Sequence, residues 1–240
     1  MELDRLMRYR DELAAIPQTT TNPLEPYWDN GFMFGLDAAS LYAFLRARAP
    51  RRYVEIGSGN STLFANRARR DGRLCTHMTS IDPFPRRDVD EVCDTVVRAP
   101  LQDVDRLTFD GLEAGDVVFF DGTHRVFMNS DVTVFFLDVL PSLPSGVLVG
   151  IHDIHLPYDY PPEMSVRYFS EQYMLAAYLL ADCPWLRPVL PCRYVAESPR
   201  LAEITAPLFA EPNLLNLKEP GVIFWSEIDH GVGPIADLER

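Results

Sequence analysis

The chain has 240 residues, 47% of them apolar and 24% charged. That is the balance of a folded globular protein and excludes a disordered chain, a collagen-like repeat and a coiled coil. Lys plus Arg is 22 against 35 for Asp plus Glu, a formal net charge of -13, which repels phosphate backbones and anionic headgroups and argues against nucleic-acid and membrane-surface partners.

Residues 1–16 pattern as an amphipathic helix with Leu3, Leu6, Leu13 and Ile16 on one side, and the Pro-, Thr- and Asn-rich stretch 17–36 reads as a loop. Asp37 is read as the N-cap of a helix running to about Arg48, with Leu41, Phe44 and Leu45 facing inward. Arg52–Ile56 predicts a strand stopped by Gly-Ser-Gly, followed by a helix from Ser61 to about Arg70. His77–Ile81 predicts a second strand, stopped by Asp82-Pro83, and Thr95–Arg98 a third. Asp116–Phe120 is almost wholly apolar, as befits a strand covered on both faces. Met128, Val132, Phe135, Phe136 and Val139 then fall at helical spacing, and Gly146–Ile151 predicts a fifth strand. Val166, Phe169, Tyr173, Ala176 and Leu180 mark a long helix, on which Arg167 and Glu171 read as a surface ion pair. Leu186–Val195 and Val222–Glu227 close the sheet.

Strands alternating with helices imply right-handed βαβ units and a mostly parallel sheet. Residues 1–36 therefore form an N-terminal segment ahead of a single domain over 37–240. Ligands of such sheets bind at the carboxyl ends of the strands. The chain places its unusual polar residues there: Glu55-x-Gly57-Ser58-Gly59, Asp82-Pro83, Asp121-Gly122-Thr123-His124 and His152-Asp153.

Gly57 and Gly59 let the backbone turn sharply and approach a ligand, and Ser61 and Thr62 then open a helix whose free N–H groups form a mildly positive end. Thr62 stands where a dinucleotide fingerprint carries its third glycine, which weakens a dehydrogenase reading. Asp82, 25 residues after Gly57, is suited to accept hydrogen bonds from both hydroxyls of a ribose.

YVEIGSGNST resembles the first motif of S-adenosylmethionine-dependent methyltransferases of the Rossmann-like class, and SIDP resembles their acidic motif after the second strand. VVFFDGTH and GVLVGIHDI resemble the fourth- and fifth-strand ends of the small-molecule O-methyltransferase subgroup that includes macrocin-type and catechol-type enzymes. The resemblance implies an α/β fold with a central, mostly parallel seven-stranded sheet and helices on both faces. It implies S-adenosylmethionine as cofactor and a small-molecule or glycosidic hydroxyl as acceptor. By the same resemblance Glu55 lies near the methionine amino group and Gly57, Ser58, Gly59 and Ser61 lie along the cofactor. Asp82 holds the ribose, Asp121 borders the cofactor, and Asp103, or else Gln102 or Asp105, meets the adenine amino group. PYWDNGFMF at 26–34 matches a segment that covers the cofactor in similar enzymes, a candidate lid.

Asp121 and His124 follow the fourth strand, and His152 and Asp153 follow the fifth, so the four side chains can meet. Two chemistries fit them. His152 or His124 can take the acceptor's proton as a general base, with Asp153 beside it. Alternatively Asp121, His152 and Asp153 can hold a divalent metal, Mg²⁺ or Mn²⁺, although histidine in place of the subgroup's usual acid suits Mg²⁺ poorly. Two further readings remain: a non-haem iron enzyme using Asp121, His124 and His152, and a nucleoside-binding module without transfer activity. The aromatic, Pro-rich IHLPYDYPPEM after the fifth strand suits either acceptor binding or a stiff connection.

Cys75, Cys93, Cys183 and Cys192 form no C-x-x-C pair and are too sparse for a disulfide framework. No apolar run reaches the ~20 residues of a membrane span, and MELDRLMRYRDELAAI lacks the apolar centre of a secretory leader. These features predict a cytoplasmic protein acting on a small molecule, with a homo-oligomer left open.

Overall fold

A computed structural model of the chain describes residues 2–217 and 221–231. Its strands are β1 (Arg52–Ile56), β2 (His77–Ile81), β3 (Thr95–Val97), β4 (Val117–Phe120), β5 (Leu148–Ile151), β6 (Leu186–Pro191) and β7 (Phe224–Ile228). They form one sheet in the order β3-β2-β1-β4-β5-β7-β6. The pairs among β1 to β5 are parallel, and β7 runs antiparallel to both β5 and β6. The chain winds outward from β1 through β2 to β3, then returns to place β4 on the other side of β1. That reversal makes β1/β4 the switch point, where a crevice opens between loops that lead in opposite directions.

Register puts the polar strand ends in one row. Ile56 pairs with Ile81 and with Phe120, and Phe120 pairs with Ile151. The next residue of each strand continues the ladder. The N–H of Gly57 reaches the Ile81 carbonyl at 2.9 Å, that of Asp121 the Ile56 carbonyl at 2.8 Å, and that of His152 the Phe120 carbonyl at 2.9 Å. Gly57, Asp121 and His152 are thus aligned by backbone hydrogen bonding before any side chain is considered.

Side chains alternate across the sheet. Tyr53, Val117 and Phe119 enter one apolar layer, while Val54, Val118 and Phe120 enter the other. The first layer is filled by α1 (Glu2–Met7), α2 (Arg10–Ala14), α3 (Gly35–Arg48), α4 (Asn60–Gly72) and later helices α7 (Cys192–Glu197) and α8 (Pro199–Phe209). The second is covered by α5 (Asp131–Val134), which continues as a π-helical turn over Phe135–Val139, and by α6 (Glu171–Leu180). Among the described residues no helix is long and apolar enough to cross a membrane. All four cysteines are free.

Several expectations are corrected. The predicted helix 1–16 breaks into α1 and α2, although Leu3, Leu6, Leu13 and Ile16 are all buried as expected and join the main core. The predicted strand 186–195 ends at Pro191 and gives way to α7. The helix expected from Val166 starts only at Glu171, after a 3-10 turn over Pro162–Arg167. Its apolar stripe was misread too, because Val166 and Leu180 are exposed while Glu171, Gln172 and Leu175 are buried. The end of the expected 37–240 domain, residues 232–240, lies outside the described residues.

Asp37 is not the cap of α3 but lies within its first turn, after Phe34 at the N-cap. Its buried carboxylate accepts the N–H of Val222 at 2.7 and 2.9 Å and that of Ile223 at 2.7 Å, tying α3 to the chain that enters β7. Asp37→Ala should leave two buried donors without an acceptor and cost about 2–5 kcal/mol of unfolding stability. Urea unfolding measures this, and an unchanged midpoint would remove Asp37 from the list of fold-holding residues.

Candidate active site

Gly57 adopts φ +83°, and a Cβ there would lie 1.8 Å from the Asp121 carbonyl oxygen. Only glycine permits both the turn and the close approach of the β4 end. The following residue is fixed from the side, its N–H donating to Asp82 Oδ2 at 2.8 Å and Ser58 Oγ meeting Ser80 Oγ at 2.5 Å. Asp82 Oδ1 accepts the Phe84 N–H at 2.8 Å, so the acid is held across the mouth of the crevice with further lone pairs free to accept.

The crevice has two chambers. One, of about 280 Å³, is lined by Gly57, Asp82, Leu101, Gln102, Thr123 and Phe127 among others. The second, of about 270 Å³, is lined by Tyr27, Asn30, Phe32, Gly59, Asn60 and Arg87 among others. Ser58, Arg86 and Asp121 line both. The 26–34 segment forms a wall of the second chamber, where a lid would lie. Asn30 shapes it: its Nδ2 donates to the Tyr27 carbonyl at 2.8 Å and the Met33 carbonyl at 3.0 Å, while its Oδ1 accepts the Met33 N–H at 2.7 Å.

Two residues are placed differently from expectation. Gln102, not Asp103, lines the first chamber, because the 3-10 turn Leu101–Asp103 directs Gln102 inward. Glu55 is fully buried, and its carboxylate accepts hydrogen bonds from Ser61 Oγ and, at 2.6 Å, from Thr62 Oγ1. Thr62 Oγ1 in turn accepts the Gly59 N–H at 3.0 Å. Glu55 therefore shapes the first turn of α4 and would affect a ligand only through that turn, whereas Ser61, bound to it, also lines the second chamber. Burial pushes the Glu55 carboxyl up to about 8, even though the Ser61 and Thr62 hydroxyls favour its charged form.

The strand ends β4 and β5 bring the expected cluster together. His124 Nε2 lies 3.3 Å from Asp121 Oδ1 and 3.3 Å from Asp153 Oδ2. His152 Nδ1 lies 3.3 Å from the same Asp121 oxygen and 3.8 Å from Asp153 Oδ1. Both imidazoles are buried, whereas Asp121 and Asp153 keep side-chain exposures of 26% and 18% and so form the open face of the cluster. His124 and Asp153 both hold positive φ, at 63° and 55°, which turns their side chains back over the strand ends. Burial favours neutral rings, but the facing carboxylates outweigh it and hold His124 and His152 well above the ordinary histidine value. Burial likewise opposes ionisation of Asp121, yet His152 and His124 hold its carboxyl well below the usual range.

Two partners escaped the sequence reading. Glu171 Oε1 meets His124 Nδ1 at 2.5 Å, and Glu171 is buried. It is not half of a surface pair: Arg167 instead lies over the Phe169 ring, and its carbonyl accepts from Arg125. Asp37 Oδ2 lies 3.6 Å from His152 Nε2. Neither had a local signal, since each partner is distant in sequence. The two histidines consequently differ. His124 Nδ1 is hydrogen-bonded to Glu171, while both nitrogens of His152 are buried without a hydrogen-bond partner.

A glycine turn and a second-strand acid thus flank a switch-point crevice of a Rossmann-like α/β sheet, with a polar cluster at the neighbouring strand ends. Residues 54–154, about two fifths of the chain, match the family model described as a methyltransferase domain. A search of curated proteins finds no match. Among solved structures, the S-adenosylhomocysteine-bound methyltransferase of Podospora anserina is 15% identical, covers 94% of this chain and 88% of its own, and superposes with a TM-score of 0.50. The O-methyltransferase of Bacillus cereus, also in complex with S-adenosylhomocysteine, is 15% identical over 78% of this chain and 82% of its own, with a TM-score of 0.44. At this identity the likeness to the Podospora anserina structure is one of fold.

The raised Glu55 carboxyl has a measurable consequence. Its folded value lies above the unfolded one, so the folded state retains a proton that the unfolded chain releases. The associated stability is complete below the unfolded value of 4.5 and is lost as pH rises through about 8. Glu55→Gln keeps the shape without the charge. Thermal unfolding across pH 5 to 8.5 should show the wild type losing stability relative to this variant, and parallel curves would mean that Glu55 is ionised throughout.

Proposed function

We propose that the chain is an S-adenosylmethionine-dependent methyltransferase that methylates a hydroxyl of a small-molecule or glycosidic acceptor, a reading supported by the methyltransferase-domain match over 54–154. The observation that carries this reading is the position of Asp121, which lines both cofactor chambers and also contacts His124 and His152. A methyl donor lying across the two chambers would present its sulfonium beside that cluster. When bound, such a donor would supply a methyl carbon on a sulfonium leaving group, and the chain's own part would be to hold the acceptor oxygen in line with it and to take the hydroxyl proton as charge develops. His152 is the better proton acceptor, because its nitrogens are not committed to hydrogen bonds. His124, bound to Glu171 and facing Asp121 and Asp153, balances the charge of the cluster and orients its carboxylates. The loop over 154–164 leaves the cluster directly and supplies aromatic surface for the acceptor. The reading places the enzyme in the cytoplasm with a small-molecule partner.

A second reading concerns a metal. Asp121, His152 and Asp153 each offer a donor atom, all within 4.8 Å of one another, and the buried His152 Nδ1 lacks a hydrogen-bond partner. One imidazole and two carboxylates suit an Mn²⁺-type ion better than Mg²⁺. The converging set has one histidine rather than the two of an iron facial triad, which disfavours the iron alternative. A bound divalent ion would supply Lewis acidity to the acceptor oxygen. Chelation followed by elemental analysis tests this reading: activity should fall and return on adding Mn²⁺, with the fold intact by circular dichroism. Full activity in a metal-free, chelated sample would leave proton transfer to the histidine–carboxylate cluster alone.

For the base, His152→Ala should lower turnover by roughly a hundredfold to ten-thousandfold, with S-adenosylhomocysteine affinity little changed. A base must be neutral to accept a proton. Turnover should therefore rise with pH through an apparent value above the ordinary histidine range, given the carboxylates around His152. Steady-state kinetics on His152→Ala and His124→Ala separates the two rings. Near-full turnover in the former and loss in the latter would reverse their roles.

A further inference from the structure

We propose that Arg86 is the anchor for the carboxylate of the cofactor's amino-acid end, and that it joins that carboxylate to the 26–34 lid. The inference rests on the proposed reading of S-adenosylmethionine as cofactor and adds a specificity residue to it.

The argument is one of charge matching. At neutral pH the cofactor carries a sulfonium, an ammonium and a carboxylate. The crevice offers acids for the positive groups and for the ribose hydroxyls, chiefly Asp121 and Asp82. Asp131 is already engaged by the Thr123 N–H at 2.6 Å and the Thr123 hydroxyl at 2.5 Å. The basic residues lining the two chambers are Arg86 and Arg87. Arg87 is committed: one terminal nitrogen donates to Asn60 Oδ1 at 2.7 Å, the other to the Pro23 carbonyl at 2.8 Å, and its guanidinium lies 5.5 Å from the Tyr27 ring centre. Arg86 makes no hydrogen bond or ion pair with any described residue, and its guanidinium lies 5.0 Å from the centre of the Phe32 ring. It is the free cation at the junction of the chambers.

A second feature points to the same place. α4 begins beside the second chamber, where Asn60 and Ser61 line the wall. Its first turn carries no acid of its own, and the N-cap Gly59 has no side chain to accept the following N–H groups, Thr62 Oγ1 taking only that of Gly59. Such an end favours an anion. A carboxylate lying between the start of α4 and Arg86 satisfies both features. The guanidinium is also the right chemistry, because its planar fork bonds a carboxylate with two nitrogens while its face rests on an aromatic ring. Phe32 is that ring, and Asn30 Oδ1 accepts its N–H at 3.0 Å. Ligand carboxylate, Arg86, Phe32 and the Asn30 turn thus form one connected path from cofactor to lid.

Calorimetry with two stable ligands tests the proposal. S-adenosylhomocysteine carries the carboxylate, and its decarboxylated analogue is otherwise the same. The wild type should prefer the former by about tenfold to a hundredfold, the worth of a charge-assisted pair. In Arg86→Ala that preference should collapse to within about threefold, with the analogue bound as well as by wild type, and Arg86→Lys should recover part of it. 5′-Methylthioadenosine, which lacks the amino-acid end, should bind wild type and both variants alike, which shows that the adenosine chamber is intact. Equal weakening of both homocysteine ligands in Arg86→Ala, or no weakening of either, overturns the proposal. Failure of wild type to bind any of the three ligands would overturn the cofactor assignment itself and the proposal with it.

Discussion

The active site depends on how closely two strand ends approach each other. The Asp121 carbonyl occupies the space that a side chain on Gly57 would need. Because β1 and β4 meet at that distance, the turn into α4 and the loop after β4 border the same crevice, and Asp121 belongs at once to that crevice and to the histidine cluster. A larger residue at position 57 would separate the two halves of the chemistry, whatever the remaining side chains were. The backbone bonds from Gly57 to Ile81, Asp121 to Ile56 and His152 to Phe120 then set the order of the functional groups along the edge.

The second constraint is electrostatic. Burying Asp37 and Glu171 with His124 and His152 beneath the partly open Asp121 and Asp153 is expensive unless each charge faces an opposite one. The arrangement alternates accordingly: Glu171 faces His124, His124 faces Asp121 and Asp153, and His152 lies between Asp121 and Asp37. Acids outnumber imidazoles in this group, a surplus of negative charge that suits a site working on a positively charged methyl donor. The same surplus disfavours an anionic group on the acceptor near its reacting oxygen.

Much of this was legible in the sequence, because parallel strands buried on both faces leave apolar runs, and glycine turns and acids after such runs have few other uses. The ends of β1, β2, β4 and β5 were located within a residue, and Asp82, Asp121, His124, His152 and Asp153 all reach the expected edge. What escaped was polar burial imposed by tertiary contact. Glu171 reads as an exposed helix residue until His124, 47 positions away, comes to face it. Asp37 reads as a cap until the chain returns, 185 positions later, with two N–H groups to satisfy. Gln102 and Asp103 differ only in how a single 3-10 turn points them. Helical periodicity failed for α6 for the same reason, since the face turned toward the site is polar and the apolar stripe is partly exposed.

Asp37 shows what such sharing means for changing the enzyme. One carboxylate holds α3 against the start of β7 and also stands behind the imidazole of His152. Substitutions that raise thermal tolerance are ordinarily found far from catalytic groups, where stability and rate can be adjusted separately. At position 37 they cannot. A replacement chosen to relieve the buried charge would alter the basicity of the ring in front of it, and one chosen to retune the ring would loosen the seam between a helix and the antiparallel strand. Laboratory evolution of this scaffold should therefore leave Asp37 untouched and find its variation at exposed positions of the 154–164 loop such as Pro157, Tyr158 and Glu163.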